Sequence, residues 1–198
     1  MKFFLRKIYK LNYIYNKIFK EKFYKKLNYD WSKTSKRYEI INGIIKNQKF
    51  KKYLEIGCFK DENFNRIEVE HKVGVDPISG GTVRATSDNY FKNNQTKFDL
   101  IFIDGLHDYH QVRKDILNSL KFIDDNGVIL LHDCIPLKLR DQMMPRSHEY
   151  WNGDTWKAIV EARTYKHIDT YTILADNGLG LIFKRKNKNK LVIEKKKF

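Results

Sequence analysis

Four short apolar runs in this chain each end in residues able to do chemistry. KYLEIGCF (52–59) ends around Gly57 and Cys58, and HKVGVD (71–76) ends in Asp76. FDLIFID (98–104) ends in Asp104, with His107 three residues on, and GVILLHD (127–133) ends in His132 and Asp133. A glycine after the first run lets the backbone turn sharply and approach a ligand without a Cβ in the way. A carboxylate 19 residues later, at Asp76, suits a ribose diol because it accepts from both hydroxyls. Asp104 and Asp133 would form a carboxylate pair that repels unless a cation or proton lies between them. Oxygen ligands of that kind suit Mg²⁺. An imidazole at His107 could take a proton from a substrate hydroxyl near neutral pH. Each residue also has a plainer role open to it: the acids as helix or turn caps, His107 and His132 as packed or surface side chains.

The elements that must position these groups follow from periodicity. Strand-length apolar runs indicate strands buried on both faces, as in a parallel sheet covered by helices. Between the third and fourth runs, Val112, Ile116, Leu120 and Ile123 repeat at helical spacing, which completes a βαβ unit. Tyr38, Ile41 and Ile45 mark a helix over 35–48, and 155–164 reads as another, with Asp154 placed to cap it. HIDTYTIL (167–174) and GLGLIFKR (178–185) close the body as an antiparallel pair around the Asp-Asn-Gly turn. In such a sheet, ligands bind at the carboxyl ends of the strands, where the polar residues above collect. The loop Gly57-Cys58-Phe59-Lys60-Asp61 lacks the further glycines of a pyrophosphate cradle. It stays compatible with a nucleoside ligand free of phosphate, which points to S-adenosylmethionine over NAD. EYWNGDTWKAI (149–159) gathers Trp151, Asn152 and Asp154, aromatic and polar groups that suit a polyhydroxylated acceptor such as a sugar.

Composition bounds the rest. The 198 residues are 41% hydrophobic, enough for a packed core. Two cysteines, Cys58 and Cys134, exclude a disulfide scaffold and are expected to be free and reduced. The net charge of +15 resides in the termini: residues 1–50 hold 14 basic and 3 acidic residues, and 184–198 hold 8 and 1. The stretch between them is slightly acidic, which argues against specific nucleic-acid binding. Phe4, Ile8, Leu11, Tyr15 and Ile18 recur at helical spacing among lysines. That basic amphipathic helix would lie on an anionic membrane surface, or dock on its own domain or on a second subunit of a homo-oligomer. The expected organisation is a helical extension over 1–34, a catalytic domain over 35–186 and a basic tail over 187–198. Without a signal peptide or spanning segment, the expected location is cytoplasmic, with peripheral contact at the inner face of the membrane.

LEIGCF, GVDP, TSDNYF, FDLIFIDGLHDYHQVRKDILNSLKFI, GVILLHDCIP and WNGDTWKAIVEAR together resemble the bacterial class I S-adenosylmethionine-dependent methyltransferases of the small-molecule, sugar-type O-methyltransferase kind. The resemblance covers about residues 50–185. It implies a Rossmann-like α/β fold: a mostly parallel seven-stranded sheet with an antiparallel last strand and helices on both faces. The stretch between the second and third strands is short, so a helix is expected to be missing there. The resemblance further implies Glu55, Gly57 and Cys58 on the methionine side of the cofactor, Asp76 on the ribose, and Ser87 and Asp88 near the adenine. It implies Asp104 and Asp133 as Mg²⁺ ligands, with Asp104 also bordering the cofactor, and His107 as base. Asp61 stands where the family's loop usually has glycine. The acceptor would be a sugar or other small molecule in surface-glycan biosynthesis. An RNA methyltransferase and a non-catalytic cofactor-binding accessory protein are the alternatives.

Overall fold

The computed structural model describes residues 2–20 and 27–192; Met1, 21–26 and the last residues of the basic tail, 193–198, lie outside the described residues. A six-stranded sheet forms the centre, in the order β2-β1-β3-β4-β6-β5. Its strands are β1 (Lys52–Ile56), β2 (His71–Val75), β3 (Phe98–Ile103), β4 (Ile123–Leu131), β5 (Asp169–Ile173) and β6 (Leu179–Phe183). β2, β1, β3 and β4 are mutually parallel, and β6 runs antiparallel between β4 and β5. The antiparallel last strand and the βαβ unit agree with the sequence. The strand number does not: the described residues form six strands, not seven. After β2, the Ser79-Gly80-Gly81 turn leaves only one parallel bridge, Val75 to Val83, where a further strand would lie.

The helices are α1 (Lys2–Phe19), α2 (Arg37–Gln48), α3 (Ser87–Asn93), α4 (Tyr109–Phe122) and α5 (Trp156–Ala162). α3 occupies the stretch expected to lack a helix; Thr86 caps it by accepting from the Asn89 N–H. Alternation along the strands divides the core between the two faces. Leu54, Ile56, Ile101, Ile103, Ile129 and Leu131 pack against α4 and α5 through Val112, Ile116, Ala158 and Ile159. Tyr53, Leu100, Phe102 and Leu130 pack against Ile41 and Ile45 of α2. Each fully buried side chain of this size stabilises the fold by about 1.5–3 kcal/mol. Asp154 does not cap α5, whose first turn follows Thr155 with no side-chain cap. It serves α4 instead, accepting from the Tyr109 N–H at 2.7 Å.

Candidate active site

Strand register assembles the site. Ile56 lies opposite Ile103, and Ile103 opposite Leu131. The residues that follow, Gly57, Asp104 and His132, therefore come level across β1, β3 and β4. The main chain locks this alignment: the Asp104 N–H donates to the Ile56 carbonyl (2.8 Å) and the His132 N–H to the Ile103 carbonyl (3.0 Å).

Asp104 lies amid nitrogen groups. Oδ2 accepts from Arg37 at 2.8 Å, and Oδ1 lies 3.1 Å from His132 Nδ1 and 3.4 Å from His107 Nε2. Burial opposes its ionisation, but His132 and Arg37 hold its pKa well below the ordinary carboxylate value. His132 is buried, with Asp133 Oδ1 3.3 Å from its Nδ1. Burial again opposes the charge, yet Asp133 and Asp104 push its pKa up to about 10, while the Arg37 guanidinium also approaches its ring at 2.9 Å.

His107 lies between both acids. Its Nδ1 is 3.1 Å from Asp133 Oδ2 but in a geometry that makes no hydrogen bond, so this buried nitrogen has no partner. Its ring stacks on Trp151, with centroids 5.7 Å apart and planes 18° from parallel. Burial works against its charged form, and Asp104 and Asp133 outweigh it to keep the pKa above the usual histidine value. His107 (φ 58°) and Asp133 (φ 57°) both hold left-handed backbone conformations. Such strain in non-glycine residues concentrates at functional sites.

The Trp-Asn-Gly-Asp segment holds this centre in place. Asn152 Nδ2 donates to Asp133 Oδ1 at 2.6 Å, the Asp154 N–H donates to the His107 carbonyl at 3.2 Å, and Trp151 Nε1 donates to the Met143 carbonyl at 2.8 Å. Asn152 and Asp154, expected to meet the acceptor, thus direct their side chains into the loop framework; Asn152 Oδ1 is buried without a partner. Trp151 is the member that faces His107.

The expected cofactor residues separate. Asp76 Oδ2 accepts from the Cys58 and Phe59 N–H groups, and Oδ1 from those of Ile78 and Ser79. Burial opposes its charge, but these four donors keep its pKa below the ordinary value. These bonds join the loops after β1 and β2. Asp61 adopts φ 61° and accepts from the Gly81 N–H at 2.6 Å. Glu55 is in the core on the Tyr53 side, accepting from Tyr53 Oη (2.5 Å) and Asn63 Nδ2 (2.8 Å), with burial pushing its pKa to about 7. Its side chain therefore does not line the crevice. Cys58 is a buried free thiol, as is Cys134, and β3 separates their strands. Ser87 and Asp88 stand at the start of α3, both reached by Gln111 Nε2 of α4 (3.1 and 3.2 Å).

Around Asp76 and Asp104, the side chains of Phe59, Ile78 and Leu106 are each about two-thirds or more exposed, one after each of the first three strands. They form an apolar rim at the carboxyl ends of these strands. At the centre, one ligand atom each from Asp104, His107 and Asp133 lie within 4.8 Å of one another, a spacing that fits a divalent cation.

Residues 47–134 match a protein-family model described as a methyltransferase domain. The matched stretch is a little under half of the chain. No curated protein sequence matches it. Among solved structures, the SAH-bound methyltransferase PaMTH1 of Podospora anserina is similar at TM-score 0.58 and 19% identity, over 92% of this chain and 88% of that one. A putative O-methyltransferase of Klebsiella pneumoniae is similar at 0.57 and 12%, over 91% and 89%. The SAH complex of a Bacillus cereus O-methyltransferase follows at 0.54 and 11%, over 91% and 90%. These likenesses show the fold, and with the matched domain they agree with the methyltransferase resemblance read from LEIG, IDGLH and WNGD; they do not extend to the sugar-type acceptor.

Sequence reasoning missed Arg37 and Asp176 and gave His132 no chemical role. Arg37 opens α2, its N–H donating to Asp176 Oδ2 at 2.8 Å while its guanidinium reaches Asp104. Nothing in the sequence separates it from the other 38 lysines and arginines.

Asp76→Ala should lower the melting temperature and weaken cofactor binding at least tenfold, because four N–H groups lose their acceptor at a cost of about 2 kcal/mol or more. In the parent, the depressed folded pKa makes this stabilisation present above the unfolded value near 4 and lost as pH falls through the folded one. Acid titration of the melting temperature should therefore be flatter in Asp76→Ala; an unchanged slope would remove Asp76 from this role.

Proposed function

We propose that the methyltransferase moves the methyl group of S-adenosylmethionine to a hydroxyl of a small polyhydroxylated acceptor, a sugar or glycan precursor, in the cytoplasm. One observation carries the reading: a strained His107, with one nitrogen unpartnered, is held between two carboxylates and stacked on Trp151 beside an apolar rim.

The sulfonium methyl is already activated, so the protein chiefly positions and manages one proton. Phe59, Ile78 and Leu106 would cover the nucleoside, with Ser87 and Asp88 at the adenine side and Gly57 at the methionine side. His107 accepts the proton of the attacking hydroxyl, and Asp133 and Asp104 stabilise the imidazolium that forms. Arg37 and His132 balance the charge of Asp104, and both acids remain ionised beside His107. Trp151 offers its ring to the apolar face of a sugar.

Asp104 and Asp133 would hold Mg²⁺, which when bound lowers the pKa of a hydroxyl. The direct test is transfer of labelled methyl from S-adenosylmethionine to a panel of activated sugars, with chelator in parallel. Label is expected on a sugar oxygen, with activity lost in chelator and restored by added Mg²⁺. Full activity in chelator would remove the metal from the proposal, and failure of S-adenosylmethionine to bind by calorimetry would remove the enzyme.

A further inference from the structure

α1 is docked the wrong way round for a helix that merely completes the core. At 100° per residue, Phe4, Leu11, Ile14, Tyr15 and Ile18 fall within one arc of about 100°. That arc faces outward, with Phe4 67% and Leu11 66% exposed and Ile14, Tyr15 and Ile18 also exposed. The face turned to the body is polar. Asn12 Nδ2 donates to the Arg146 carbonyl (2.8 Å), and the nearly fully buried Asn16 donates to that of Pro145 (3.2 Å). Arg6, Lys10 and Lys17 form the stripe beside the apolar arc, and the exposed Lys7 rises within it on a stem long enough to carry its charge to headgroup level. Residues 1–20 contain six lysines or arginines and no acidic residue.

We infer that α1 is a docking surface for an anionic lipid bilayer, lying in the plane of the interface with its apolar arc immersed and its basic stripe on the headgroups. Charge selects this occupant. A second copy placed on the same arc would bring two basic stripes together with no acidic residue to answer them, whereas acidic headgroups complement them. Among the described residues, no helix is long and apolar enough to cross a membrane, so the helix lies on the bilayer and does not span it.

The docked face also connects to the active site. The Arg146 guanidinium lies over the Tyr9 ring (5.9 Å) and over the Trp151 ring (5.5 Å), and Trp151 stacks on His107. A helix held at the bilayer would bring the Trp151 side of the site close to headgroup level.

The test is flotation of the full chain with vesicles of phosphatidylcholine alone and of equal parts phosphatidylcholine and phosphatidylglycerol. Binding to the anionic vesicles should be at least about tenfold stronger and should weaken with salt. The double variant Leu11→Glu/Ile18→Glu should lose this binding and keep the parent's melting temperature and S-adenosylmethionine affinity, since both side chains are exposed. Equal binding to both vesicles, or binding retained by the double variant, would overturn the inference. So would a parent chain that is dimeric by light scattering and becomes monomeric in the double variant, because the arc then belongs to a second copy. Calorimetry with S-adenosylmethionine reads the proposed function separately from either result.

Discussion

His107→Asn should lower the methyl-transfer rate by about 10²–10⁴-fold while S-adenosylmethionine binds within a few-fold of the parent. The choice of asparagine matters. His107 holds φ 58°, and alanine there would add backbone strain to the loss of the imidazole. Asparagine visits the left-handed region readily, so the variant isolates the proton-accepting group. The amide cannot take a proton from a hydroxyl, yet it can still face Asp104 and Asp133. Single-turnover rates and calorimetry on the same preparation give both numbers. A rate within about threefold of the parent would assign proton removal to another group.

Gly153→Ala should be the most damaging single-methyl change in the chain. Gly153 has φ 65°, and a Cβ there would be 1.9 Å from the His107 carbonyl oxygen. Either the loop or the strained His107 must move. Movement of the loop breaks the Asp154 N–H bond to that carbonyl and withdraws Asn152 from Asp133. Movement of His107 misplaces the base. The expected result is a rate at least about 100-fold lower, since small displacements at a positioned base cost that much. Strain and lost contacts of about 3 kcal/mol should lower the melting temperature by roughly 10 °C. Wild-type turnover in this variant would show that the Trp-Asn-Gly-Asp loop does not set the position of His107.

These two variants also mark what kind of residue each motif supplies. Asp-Gly-Leu-His brings reactive groups; Trp-Asn-Gly-Asp brings mostly framework. From sequence, Trp151, Asn152 and Asp154 looked like one acceptor-binding set, because aromatic and polar side chains adjacent in sequence suggest a shared ligand. In space they diverge: Trp151 stacks on His107, Asn152 braces Asp133, and Asp154 accepts from the first N–H of α4, beside its N-cap Asp108. Asp76 is part of the framework as well. A strand-end carboxylate at nucleoside spacing reads as a diol ligand, and its neighbours also turn four N–H groups toward it.

What the residues determined alone is local and periodic. Apolar runs of strand length, helical repeats between them and a turn at Asp-Asn-Gly were enough for a parallel sheet with an antiparallel end, because burial imposes those periods on any chain that must cover both faces of a sheet. The same runs named Asp104, His107 and Asp133, since polar groups at strand ends have one place to go. Partner choice was decided only in three dimensions. Arg37 meets Asp104 across 67 residues and Asn152 meets Asp133 across 19, through register and loop docking that leave no trace in spacing. The outward turn of the apolar arc on α1 was equally invisible, because a helical repeat defines a stripe but not the side from which the body approaches it.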